Sequence, residues 1–188
     1  QLSEALGGVC VGLSVLVAGL PGAGKSTLVA ELAAAMAKQL DGLIWWVDRE
    51  QVSHALIAAC FARTHSAMDR VQVVGPAIGA AISNAGWREA LAAVEDDPKS
   101  ILVCDSLQTW GDHRETEMRA LLGALRSMRC TPLIISHSNQ EGDPFGATTN
   151  QHGTDAVAIV TPTRIEVPEK CRWARTPRSF LRRDFNSA

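Results

Sequence analysis

None of the five cysteines (Cys10, Cys60, Cys104, Cys130, Cys171) has a neighbour at C-x-x-C spacing. That removes a zinc site and a disulfide framework, and single cysteines in apolar runs read as buried, reduced thiols of a cytoplasmic protein. No apolar stretch approaches the roughly 20 residues of a membrane span, and Gln1 does not open a signal peptide. Without an initiator methionine, the chain is expected to be an excised or processed domain. Internal repeats and low-complexity tracts are also missing. Net charge is only −2, but it is unevenly spread. From Arg164 onward, Arg164, Lys170, Arg172, Arg175, Arg178, Arg182 and Arg183 outnumber Glu166, Glu169 and Asp184. This basic segment, about residues 164–188, suits either contact with phosphates or a neighbouring subunit's acidic face, or a solvated edge strand.

What is present is enough for one core. With 188 residues, 46% of them hydrophobic, the chain reads as a single domain over residues 1–188. Its most informative stretch is an apolar run, Val15-Leu16-Val17-Ala18, followed by Gly19-Leu20-Pro21-Gly22-Ala23-Gly24-Lys25-Ser26-Thr27 and then a helical pattern. Gly19, Gly24, Lys25 and Ser26 fit G-x-x-x-x-G-K-[ST] in its required setting between a strand and a helix. Glycines let successive backbone N–H groups turn inward at a helix N-terminus, which makes an anion cradle. Pro21, Gly22, Ala23 and Thr27 complete the loop. Lys25 can reach the β- and γ-phosphates, and the Ser26 hydroxyl can ligate Mg²⁺. The loop is expected to hold a nucleoside triphosphate, ATP in the reading followed here.

Further along, apolar strands alternate with helical periods. Helices are predicted over about residues 26–40, 52–63, 87–95 and 115–128, and strands from about residue 13 and over 43–47, 71–74, 101–105, 133–137, 156–160, 164–167 and 179–183. The stretch around Leu6-Gly7-Gly8-Val9 reads as a turn. Residues 141–153 read as a long loop. Such alternation implies an α/β fold with a mostly parallel twisted sheet flanked by helices. Ligands of these sheets sit at the carboxyl ends of the strands, which gathers residues 19–27, Asp48, Glu50, Asp105 and His137 on one edge. Asp105, closing an apolar strand, is the type of residue that holds Mg²⁺, although an aspartate there can also cap a helix. Hydrolysis needs a group to orient or deprotonate water. Glu50 is the candidate, Asp48 its rival, and a plain surface acid the alternative to both. His137 can hydrogen-bond the γ-phosphate or be satisfied structurally.

These residues resemble the RecA-like P-loop ATPases, and within them the RadA/Sms recombination ATPases and their KaiC-like relatives. Leu6-Gly7-Gly8 is similar to the entry motif, Val47-Asp48-Arg49-Glu50 to the strand end bearing the catalytic glutamate, and Asp105-Ser106-Leu107-Gln108-Thr109 to the RadA form of the Walker B segment. Ser136-His137-Ser138-Asn139-Gln140-Glu141-Gly142 is similar to RadA's G-H-V-T-K-E-G, with Gln140 in place of lysine. His152 and Asp155 match an H-x-x-D pair, and Lys170-Cys171-Arg172-Trp173 a degraded K-N-R-F-G. The resemblance implies a RecA core that hydrolyses ATP with Mg²⁺. Glu50 would activate water, His137 would sense the γ-phosphate, and Lys170 and Arg172 would act across a subunit boundary in a homo-oligomeric ring or filament. Single-stranded DNA is an implied partner, with Trp110, Phe145 and Trp173 as aromatics able to stack on bases. The segment that helps line the DNA channel in relatives is cut here to Trp110 through Arg114. The family's zinc module and protease-like domain are absent, so the chain is expected to be at most the ATPase core. A KaiC-like regulatory ATP-binding module is the alternative. A small-molecule P-loop kinase would need an arginine-rich lid, which the sequence lacks.

Overall fold

A computed structural model describes residues 1–48, 54–66, 68–75, 91, 92, 94, 96–107, 115–138, 153–168, 172 and 178–182. The elements in chain order are α1 (Leu2–Leu6), β1 (Val15–Gly19), α2 (Lys25–Leu40), β2 (Ile44–Asp48), α3 (His54–Arg63), β3 (Val71–Val74), β4 (Ile101–Asp105), α4 (Glu115–Ser127), β5 (Thr131–His137), β6 (Ala156–Val160), β7 (Arg164–Val167) and β8 (Arg178–Leu181).

The strands form one eight-stranded sheet in the order β3-β2-β4-β5-β1-β6-β7-β8. The first six in that order run parallel, and β7 and β8 close the far edge as antiparallel strands. All five residues of β1 and of β4 are buried. Continuous apolar strands such as Val15-Leu16-Val17-Ala18 and Ile101-Leu102-Val103-Cys104 demand this, because a strand covered on both faces has no polar side to present.

Side-chain alternation splits the core into two layers. Val15, Val17, Ile44, Trp46, Ile101, Val103, Leu133 and Ile135 face one way and pack with Leu2, Leu6, Leu28, Leu32, Ile57 and Phe61 from α1, α2 and α3. Leu16, Val47, Leu102, Cys104 and Ile134 face the other way, against Leu121, Leu122 and Leu125 of α4 and Val94. The Trp46 and Phe61 rings meet edge to face at 5.8 Å, a geometry that favours the ring quadrupoles.

The structure adds one element and changes one sequence reading. Residues 2–6 form a short helix whose Leu2, Ala5 and Leu6 are buried. One turn is too short to show a helical period, so packing decides it. Cys104 and Cys130 are buried as expected, but Cys10 is exposed. Burial raises the Cys60 thiol pKa, and full burial raises that of Cys104 further, so both stay protonated at neutral pH. Most of the helix expected at 87–95 lies outside the described residues, as do Cys171 and nearly all of the loop at 141–153. Among the described residues, no helix is long and apolar enough to cross a membrane.

Candidate functional site

The parallel register sets the site. Gly19 pairs with His137, and Asp48 with Asp105, so four strand ends finish side by side. By alternation, Asp48 follows Trp46, Asp105 follows Val103 and His137 follows Ile135, which puts all three on the face that α2 covers. Residues 19–24 leave β1 and turn into the first turn of α2. Gly22 and Gly24 hold φ of 76° and 82°, left-handed values that residues with a Cβ adopt only at a cost.

A cleft of about 300 Å³ opens there, bordered by Pro21, Gly22, Gly24, Lys25, Ser26, Thr27, Arg63, Asp105, Ile135 and His137. Lys25 is buried, and its Nζ donates to the carbonyl oxygens of Gly19 at 3.0 Å and Leu20 at 2.9 Å. The Ser26 hydroxyl donates to Asp105 Oδ2 at 3.3 Å. A hydroxyl and a carboxylate meeting beside a backbone cradle are hard oxygen donors of the kind Mg²⁺ prefers. The described residues contain no cluster of three or more His, Cys, Asp or Glu able to hold a metal. A cation at Ser26 and Asp105 would therefore complete its shell with phosphate oxygens and water, the usual arrangement for Mg²⁺.

Of the sequence candidates, Gly19, Pro21, Gly22, Ala23, Gly24, Lys25, Ser26 and Thr27 form this loop and helix start, and Asp105 and His137 border it. Asp48 is buried beside Asp105. Glu50, Lys170 and His152 lie outside the described residues. Arg172 is elsewhere: its Nε sits 3.1 Å from Asp155 Oδ1, and its backbone N–H donates to the Asp155 carbonyl at 3.1 Å. Asp155 is itself buried just before β6. It accepts from the Ser14 N–H at 3.0 Å and the Ser14 hydroxyl at 2.8 Å, and Arg126 lies 3.3 Å away. This node stands at the opposite end of the strands from the cleft.

Two residues near the loop were not among the sequence's site candidates, although Arg182 belongs to the basic segment after Arg164. Arg63 reaches the cleft from the end of α3. Arg182, just after β8, donates from Nη1 to the carbonyl oxygens of Ala23 and of Thr161, the latter at 2.7 Å. Its guanidinium lies over Gly24, where a Cβ would come within 2.7 Å of Nη2. One arginine thus ties the glycine loop to the β6–β7 turn. Arg182→Met removes charge-assisted hydrogen bonds worth roughly 1.5–3 kcal/mol. The expected result is a drop of several degrees in Tm by calorimetry together with weaker nucleotide binding, since the loop loses its outer support.

A family model described as an AAA domain matches residues 3–143. The chain is 25% identical over 165 residues to the DNA repair protein RadA of Bacillus subtilis (strain 168), covering 80% of this chain and 33% of that one. It is 25% identical over 162 residues to the DNA repair protein RadA of Campylobacter jejuni, covering 80% and 34%. The chain therefore spans about a third of the length of these curated relatives. Among solved structures, a KaiC-like protein from the hyperthermophilic archaeon Pyrococcus horikoshii OT3 matches 96% of this chain and 90% of that chain with a TM-score of 0.71, at 16% identity. That last match is a likeness of fold.

Proposed function

This chain belongs to the AAA domain family as a RecA-like P-loop ATPase related to RadA and KaiC-like proteins, and from that premise we propose that it binds ATP with Mg²⁺ and hydrolyses it to ADP and phosphate. The observation that carries this reading is the meeting of Ser26 and Asp105 at 3.3 Å at the mouth of the glycine loop. In this reading, residues 19–27 wrap the phosphates with backbone N–H groups and Lys25 leaves its carbonyl partners for phosphate oxygens. Ser26 and Asp105 hold Mg²⁺, and Glu50 orients and deprotonates the attacking water. His137, paired with Gly19 across β5 and β1, donates to the terminal phosphate. Mg²⁺, when bound there, would supply positive charge that offsets the negative charge developing on the transferred group.

The domain is read as one unit over residues 1–188, working as a homo-oligomer, ring or filament, in DNA recombination, repair or replication. Arg172, with Lys170, is assigned to a neighbour's nucleotide. What supports this is that Arg172 is exposed and lies at the far end of the strands from its own chain's loop. The shortening of the segment after Thr109 to Trp110 through Arg114 favours a second reading, a KaiC-like regulatory ATP-binding module without DNA-stimulated turnover.

Phosphate release from Mg-ATP, with and without single-stranded DNA, separates the two. The recombination-type reading expects DNA to raise the rate several-fold. Nucleotide binding with a rate that DNA leaves unchanged assigns the chain to the regulatory class. Failure to bind ATP at all overturns both.

A further inference from the structure

We propose that Arg63 binds the terminal phosphate of the nucleotide from within the same chain, so that the cleft works with two cations, Lys25 and Arg63. The inference rests on the nucleotide reading above and deepens it.

The position of Arg63 follows from how α3 is held. Ile57 and Phe61 are buried, Phe61 packs on Trp46 of β2, and the Thr27 hydroxyl lies 3.8 Å from Cys60 Sγ. These contacts fix the inner face of α3 against β2 and the first turn of α2. Arg63, two residues beyond Phe61, is exposed, yet it borders the same cleft as Lys25, Ser26, Asp105 and His137. Among the described residues its guanidinium makes no hydrogen bond or ion pair. A surface arginine ordinarily finds solvent or a carboxylate. This one borders the cleft beside the backbone anion cradle, and its planar fork is suited to two phosphate oxygens at once.

Charge balance points the same way. A Mg-bound triphosphate keeps about two net negative charges. Within the cleft Lys25 and Asp105 offset each other, and Arg182 lies over Gly24 from the other side of the loop. On the side of Asp105, Arg63 offsets one of the two remaining negative charges. Its side of the cleft is set by topology: α3 follows β2, β2 is the neighbour of β4 in the sheet, and β4 carries Asp105. Cys60, three residues before Arg63 on α3, lies 3.8 Å from the Thr27 hydroxyl, which holds the end of α3 beside the start of α2. The terminal phosphate and the cation belong on that side, and Arg182 stands on the β6–β8 side.

The test is isothermal titration of Mg-ATP and Mg-ADP into the whole chain as wild type, Arg63→Ala, Arg63→Lys and Lys25→Ala, with a thermal melt of each. For Arg63→Ala, Mg-ATP affinity is expected to fall about ten-fold or more, Mg-ADP affinity to fall less, and the melt to stay unchanged because the side chain is exposed. Arg63→Lys should recover part of the Mg-ATP affinity by restoring the charge without the fork. The inference is overturned if Arg63→Ala binds Mg-ATP like the wild type while Lys25→Ala does not, or if both nucleotides weaken equally. A wild type that binds neither nucleotide overturns the nucleotide reading, and Arg63 falls with it. Should Arg63→Ala melt early, the comparison of Arg63→Lys with wild type still decides, since a purely structural arginine predicts no ATP-against-ADP difference.

Discussion

Lys25→Ala is expected to reduce steady-state phosphate release from Mg-ATP by at least about a hundred-fold, the scale on which removing one preorganised charge donor acts. The lysine is buried and held by two loop carbonyls at 2.9 and 3.0 Å, so its charge is already aimed at the cradle. Moving it to phosphate exchanges neutral acceptors for charged ones, and the gain grows as negative charge accumulates on the transferred group. Alanine cannot make that exchange. The Gly19 carbonyl keeps a second donor in the Ser138 N–H at 3.1 Å, and Leu20 is exposed, where water can satisfy its carbonyl, so the fold should survive. Calorimetric Tm within a few degrees of wild type, beside lost turnover, would separate chemistry from unfolding. Undiminished turnover would remove the glycine loop from the mechanism.

Glu50→Gln should lower turnover by roughly 10²–10⁴-fold while leaving Mg-ATP affinity within about three-fold, because a general base acts on the water rather than on the bound ligand. Its natural control is Asp48→Asn. Asp48 is buried and in register with Asp105, and alternation sends both carboxylates to the face covered by α2. An acid in that place serves equally as a base or as a partner that tunes the Asp105 carboxylate. Single-turnover hydrolysis with pre-bound ATP distinguishes them. If Asp48→Asn halts the chemical step with binding intact and Glu50→Gln does not, the base is Asp48 and the assignment of Glu50 is wrong.

Much of this site could be read in the chain itself, for reasons that stay local. The glycine loop declares itself because left-handed φ at Gly22 and Gly24 and the lysine and serine that follow are consecutive residues. Asp48 and Asp105 were readable because each ends an unbroken apolar strand, and parallel strands put their carboxyl ends where ligands bind. The single helical turn at Leu2–Leu6 was not, because five residues carry too little periodicity and only burial of Leu2, Ala5 and Leu6 stabilises it.

What the sequence by itself determined is therefore the fold class, the spans of most strands and helices, and the position of the glycine loop between β1 and α2, all set by side-chain period and backbone sterics over a few residues. Only the tertiary structure decided strand order, which inserts β1 between β5 and β6, and hence which distant charges meet. It brought Arg182 onto the carbonyl of Ala23 across 159 residues, drew Arg172 to Asp155, and carried Arg63 to the edge of the cleft. Such pairings depend on which strands lie side by side and on the rigid packing of Phe61 against Trp46. A long flexible side chain has no period of its own, so nothing near it in the sequence records where its charge will come to rest.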